Sequence, residues 1–250
     1  MAAFLVAEDS PGTSEFRWLD AFGRRMLPSL RLPTSGRVVV VSAHPDDDVL
    51  AVGSLLAALH GTGLPINSVV ATNGEGSHVR SPPLRHGSRR HGSLGHTRRH
   101  ELQEAYEQLG IEPSVTWLGV PDGEVSVHEE WLSHCLLQML SSDTVLLAPW
   151  RFDGHPDHDA VGRAAARAAF HSGAELWEFP VWVWHWAEPS DGAFPWDRAH
   201  SWPCGDVIRK GLAIECFETQ IRDDDSRVGG PVLPAAVLDR FRRPFEVVFT

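Results

Sequence analysis

Short unbroken apolar runs alternate along this chain with longer stretches of helical period. Arg37–Ser42 (RVVVVS), 66–72 (INSVVAT), 114–119 (SVTWLG) and 143–149 (DTVLLAP) are each too short for a helix of ordinary length. Where the run is continuously apolar it reads as a strand buried on both faces. Residues 49–59, 96–109, 127–140 and 158–171 between and after them carry the helical pattern, and Gly110 stops the second of these. An amphipathic helix is predicted over 13–30, with Phe16, Leu19, Phe22 and Met26 near helical spacing. Later in the chain, 175–186 (ELWEFPVWVWHW) reads as strand-like, 210–221 as a helix and 244–249 (PFEVVF) as a closing strand.

Strands alternating with helices imply parallel strands joined by crossovers. The expected fold is therefore α/β, a single-domain three-layer α/β/α (Rossmann-like) arrangement with a mostly parallel sheet. Ligands of such sheets bind at the carboxyl ends of the strands. No internal repeat or linker interrupts the pattern, and 187–205 reads as a Pro/Trp-rich loop.

The length, 250 residues, suits one large domain. A net charge of −11 argues against a nucleic-acid or anionic-membrane partner, which would require a basic face. Three cysteines (Cys135, Cys204 and Cys216) with no CxxC spacing fit a reducing cytoplasm better than a disulfide scaffold. The opening MAAFLVAEDSPG lacks a basic segment and does not read as a signal peptide, and no run is long enough for an integral membrane segment. A symmetric homo-oligomer is compatible with all of this. Fourteen histidines are the one oddity of composition. Within 76–100 there are six arginines, five histidines and no acid, which reads either as a solvated loop or as a cationic lid over a polar substrate.

Two clusters carry the chemistry. The first strand delivers Ala43-His44-Pro45-Asp46-Asp47-Asp48 to its carboxyl end. Three adjacent carboxylates repel one another unless positive charge sits among them. Taken alone, they could cap the following helix, whose dipole favours each charge by about 0.3–1 kcal/mol. That reading leaves the histidine unexplained. The strand at 143–149 then runs into His155-Pro156-Asp157-His158. Both clusters fall at strand ends on one edge of the sheet, and together they offer the nitrogen and oxygen ligands of a catalytic zinc site.

At these residues the sequence resembles the PIG-L/LmbE-like zinc-dependent de-N-acetylases, which remove acetyl from N-acetylglucosamine-containing conjugates. The matching motifs are Ala43–Asp48 and His155–His158, supported by ATNGEGS (71–77), RRHELQEAYEQLGI (98–111) and VPDGE (120–124). The resemblance runs from about residue 36 to the end, so residues 1–35 form an N-terminal helical extension and 36–250 a deacetylase-like domain. It implies one Zn2+ per chain, with Fe2+ the other candidate, held by His44, Asp47 and His158. It further implies Asp46 as general base and His155 as the electrostatic or acid partner; a protonated His155 would be placed to meet the developing oxyanion. The implied substrate is a small amino-sugar conjugate.

Further residues have two readings each. Arg98 and Asp122 match substrate-associated positions of the family, yet Arg98 could pair with Glu101 on the surface and Asp122 could be a turn residue. Asp48, where the family more often has Glu, and Asp157 are candidates to support the ligands by second hydrogen bonds. Glu75 could sit near the metal or bond its own loop. The tryptophans of 177–186 read as core packing or, alternatively, as a sugar-stacking face. The function expected is removal of an N-acetyl group. The alternatives are an amidase for a larger acyl group and a non-catalytic sugar-binding protein.

Overall fold

The computed structural model describes residues 12–77, 90–190, 192–223 and 230–250, with backbone alone for 90–93. The elements in chain order are α1 (Glu15–Arg24), β1 (Arg37–Ser42), α2 (Asp47–Gly61), β2 (Ile66–Val70), α3 (Arg90–Leu109) and β3 (Ser114–Trp117). They continue with α4 (Glu129–Leu137), β4 (Thr144–Pro149), α5 (Pro156–Ser172), β5 (Glu175–Phe179) and α6 (Val183–Trp186). The last are β6 (Ala199–Pro203), α7 (Val207–Glu215), α8 (Glu218–Ile221), α9 (Ala235–Leu238) and β7 (Phe245–Phe249).

All seven strands form one sheet in the order β3-β2-β1-β4-β5-β7-β6. The first five are parallel, while β7 runs antiparallel to β5 and to β6. The valine run of β1 shows why the sheet has helices on both faces. Val38 and Val40 enter a core with α2 and α3, whereas Val39 and Val41 enter a second core with α4 and α5. A strand with water on neither side has no polar position to offer, hence its unbroken apolar sequence. This is the three-layer, mostly parallel α/β/α arrangement expected.

Three elements differ from expectation. The predicted helix 13–30 ends at Arg24, and its buried residues are Trp18 and Ala21, while Phe16, Leu19 and Met26 face outward. Trp18 is fully buried against Trp184, Phe194 and Trp196, and its indole N–H donates to the Trp184 carbonyl. The strand predicted over 175–186 stops at Phe179, because Pro180 cannot extend the ladder, and the chain turns into α6. Trp184 of this stretch, with Phe194 and Trp196 beyond it, thus forms the aromatic bed for α1. The predicted helix 210–221 is two helices, α7 and α8, divided at Cys216 and Phe217.

α2 is buried on nearly every side and breaks at Val52 (φ −136°, ψ 19°). A break frees backbone N–H groups that cannot remain unpaired in a core. Glu246 of β7 accepts from Ser54 N at 2.8 Å and Leu55 N at 2.7 Å, and its charge is matched by Lys210 at 2.5 Å. All of this lies out of water, with Glu246 and Lys210 both buried. Glu246→Ala strands the lysine and both amides, so a loss of about 3–5 kcal/mol is expected in urea unfolding. A loss below about 1 kcal/mol, the scale of an exposed pair, would show that the carboxylate does not bridge the break.

Candidate metal centre

The strand order reverses between β1 and β4, the switch point where an open α/β sheet leaves a crevice at its carboxyl edge. β1 and β4 pair directly, so the loops that follow them meet there. The first carries His44–Asp48 into α2, and the second carries Trp150–His158 into α5. The apolar strands therefore place both His-Pro-Asp clusters without any contact between them in sequence.

Asp47 opens α2, but its side chain folds back to the end of β1. Its Oδ2 accepts from the amides of Ala43 at 3.0 Å and His44 at 2.9 Å, leaving Oδ1 3.2 Å from His158 Nε2. His44 Nδ1 lies 3.2 Å from the same His158 Nε2 and 3.7 Å from Asp47 Oδ2. The outer nitrogens of the two rings face carboxylates. His158 Nδ1 is 2.7 Å from Asp153 Oδ2, and His44 Nε2 is 3.2 Å from Asp122 Oδ1 and 3.5 Å from Asp157 Oδ2. Those partners assign the ring protons to the outer nitrogens. Two neutral rings would then point lone pairs at each other across 3.2 Å, with Asp47 beside them. Such a contact is repulsive until a cation is shared, and two imidazoles with one carboxylate form a ligand set suited to zinc. The residues present therefore fit a divalent metal.

Electrostatics agree. Burial works to lower the His158 pKa, but the charge of Asp47 and the bond to Asp153 prevail and push it up to about 9. Burial opposes a charge on His44 as well, and bonds to Asp122, Asp157 and Asp47 raise it well above the ordinary imidazole value. Burial would raise Asp47, yet the two imidazoles hold its carboxyl well below the usual range. The pocket stabilises positive charge between these three side chains. Among the described residues two groups have ligand atoms within 4.8 Å of one another: His44, His155 and His158, and on the other edge of the His44 ring, His44, Asp122 and Asp157.

His155 stands at the head of α5. It caps α5, its Nδ1 accepting from Asp157 N at 3.2 Å, which leaves the proton on Nε2. Burial and then the charges of His158 and His44 push its pKa down to about 3.

The remaining residues fall into place around this centre. Asp46 is the residue before α2, and Arg98 Nη2 lies 3.0 Å from its Oδ2. Arg98 does not pair with Glu101 on the surface, because both are buried and Glu101 accepts from Thr219 N and Oγ1, each at 2.7 Å. Asp122 bridges His44 and the amide of Gly76, to which its Oδ2 is 2.8 Å, and Glu75 Oε1 accepts from Asp122 N at 3.3 Å. Asp157 holds the turn beside it by accepting from Gly123 N at 2.8 Å and Val125 N at 3.1 Å. Asp48 touches none of the histidines; it accepts from the Tyr106 hydroxyl at 2.5 Å, and burial raises it to about 6. The sequence reading missed Asp153, which accepts from the amides of Val181, Trp182 and Val183 while holding His158. Its one sequence signal is an acid two residues before His155. Of the Arg/His-rich stretch, 78–89 lies outside the described residues, and 90–100 belongs to α3.

Comparison with known proteins follows the same pattern. The chain is 29% identical to the 1D-myo-inositol 2-acetamido-2-deoxy-alpha-D-glucopyranoside deacetylase of Corynebacterium urealyticum, over 63% of this chain and 55% of the relative. The chain spans 55–60% of the length of two of the curated relatives it matches. In fold it is similar to the N,N'-diacetylchitobiose deacetylase of Pyrococcus horikoshii, with TM-score 0.54 and 19% identity over 72% of this chain and 69% of that one. GalB of Pseudomonas putida KT2440, a 4-carboxy-2-hydroxymuconate hydratase, shares the fold equally, with TM-score 0.53 and 18% identity over 83% of each chain. The architecture thus does not dictate one reaction. Residues 39–169, which hold both clusters, match the family model described as PIG-L, GlcNAc-PI de-N-acetylase. More than half of the chain lies within that match, and the chain belongs to the PIG-L family.

Proposed function

We propose that this protein hydrolyses the N-acetyl group of an N-acetylglucosamine-containing conjugate, releasing acetate and a free amine. The observation that carries the reading is the facing of His44 Nδ1, His158 Nε2 and Asp47 with a separate carboxylate, Asp46, beside them. His44, Asp47 and His158 would hold a divalent metal, zinc or iron(II). When bound, the metal supplies Lewis-acid polarisation of the amide carbonyl and lowers the pKa of water towards ~7.

The chain's own groups do the rest. Asp46 is spared from metal binding by its neighbour Asp47, so it is free to take the proton of the attacking water. The neutral Nε2–H of His155 donates to the carbonyl oxygen as negative charge gathers there, a role that does not require an imidazolium. Asp153 fixes His158, and Asp122 with Asp157 fixes His44, so each ring presents its lone pair without reorganisation. The names of the relatives support the amino-sugar substrate. No helix among the described residues is long and apolar enough to cross a membrane, which suits a small-molecule substrate equally well.

Acetate release should be measured from a panel of N-acetylglucosamine conjugates, using metal-stripped protein with and without zinc. Release that requires the metal is expected. Silence with metal bound would turn the reading towards a larger acyl group or simple sugar binding. Asp46→Ala should retain the metal and lose turnover by about 10²–10⁴-fold, the usual contribution of a general base. His158→Ala should lose both. Full activity of Asp46→Ala would remove it as the base.

Asp153→Asn should weaken metal binding by about 10–100-fold in a chelator competition, since it disturbs the ring that presents Nε2. Unchanged affinity would mean that Asp153 serves the backbone of α6 alone.

A further inference from the structure

Asp46 occupies the N-cap position of α2, where an aspartate ordinarily turns its carboxylate back to accept from the second or third amide of the helix. Here it makes no such bond. Its Oδ2 instead meets Arg98 Nη2 at 3.0 Å, while Arg98 Nη1 donates to the Gly74 carbonyl at 2.9 Å. Arg98 is 3% exposed, and both terminal nitrogens of its guanidinium are engaged. Gly74 is part of the same device. It sits at φ +64°, and a Cβ there would overlap Arg98 Nη1.

We propose that Arg98, seated against Gly74, is a positioning residue that fixes the direction of the Asp46 carboxylate and keeps it aimed into the site. This rests on Asp46 being the general base. α3 is anchored for the task at two further points. Glu101 ties it to α8 through Thr219, and Tyr106 reaches Asp48, two residues beyond Asp46 in the first turn of α2. The capping amide of Val49 is already taken by Asp48 Oδ1 at 2.9 Å, so Asp46 has no cap to hold it, and without the guanidinium its carboxylate would lose the contact that fixes its direction. A base displaced by about an ångström from its water can lose 10²-fold in rate. The family resemblance places Arg98 against substrate, and the two roles separate cleanly in kinetics.

The test compares the full chain with Arg98→Met, Asp46→Asn and the double variant. A crystal structure of zinc-loaded Arg98→Met should show the Asp46 carboxylate rotated away from its place in the wild type, and an unmoved carboxylate would overturn the proposal. With an acetate-releasing conjugate, kcat should fall by about 10²-fold while KM stays within about twofold. A KM rise of about tenfold with kcat unchanged would make Arg98 a substrate contact instead. Adding Arg98→Met to Asp46→Asn should cost no further activity, because the two residues act as one unit. Should Arg98→Met fail to fold, Gly74→Ala keeps the arginine but evicts its guanidinium, and it should reproduce the kcat loss. If the wild type released no acetate from any conjugate, the functional reading would fall, while the carboxylate's position in the crystal would still decide this one.

Discussion

Two imidazole nitrogens, each with its proton committed to a carboxylate on the far side of the ring, face one another at 3.2 Å beside Asp47. That contact is tolerable only with positive charge between the rings, and much of the surrounding structure exists to impose it. Asp153 is fixed by three backbone amides before it holds His158. Asp157 is fixed by two amides, and Asp122 by one, before they meet His44. Buried carboxylates of this number could not coexist ionised without a cation to divide among them. The opening puzzle of Asp46, Asp47 and Asp48 side by side resolves in the same terms. Asp47 faces the imidazoles, Asp46 an arginine and Asp48 a tyrosine, so each has a different partner.

Holding that cluster demands rigidity from elements remote from it. α2 carries the acids at its start, yet it breaks one turn later at Val52 and is repaired by Glu246 from the last strand. α3 grips the beginning of α2 at Asp46 and Asp48. Trp184, part of the aromatic bed for α1, directly follows the three residues whose amides fix Asp153. Core and site are thus one hydrogen-bonded unit, and a change in the α6 segment should be felt at His158.

The sheet and the two clusters were legible because each depends on local sequence. Continuous valine and leucine runs have only one stable setting, a strand covered on both faces, and the strand ends then fix where His44 and His155 stand. What escaped depends on contacts across long separations. Asp153 is an unremarkable loop acid until the chain from 181 to 183 folds over it. Arg98 and Glu101 have the spacing of an exposed helix pair, and only the packing of α8 and Asp46 draws both inward. The true face of α1 was hidden because Trp18, not Phe16 or Met26, finds an aromatic bed some 166 residues away. The depressed pKa of His155 also lay beyond spacing, since it follows from burial beside two other imidazoles.

The claim that most depends on being right is that one cation belongs between His44 Nδ1, Asp47 and His158 Nε2. An anomalous difference map collected at the zinc absorption edge from zinc-loaded crystals addresses it directly. The account predicts a single strong peak within bonding distance of those three side chains, with Asp122 and Asp157 still on His44 Nε2. A peak instead on the far edge of the ring, among His44 Nε2, Asp122 and Asp157, would contradict it.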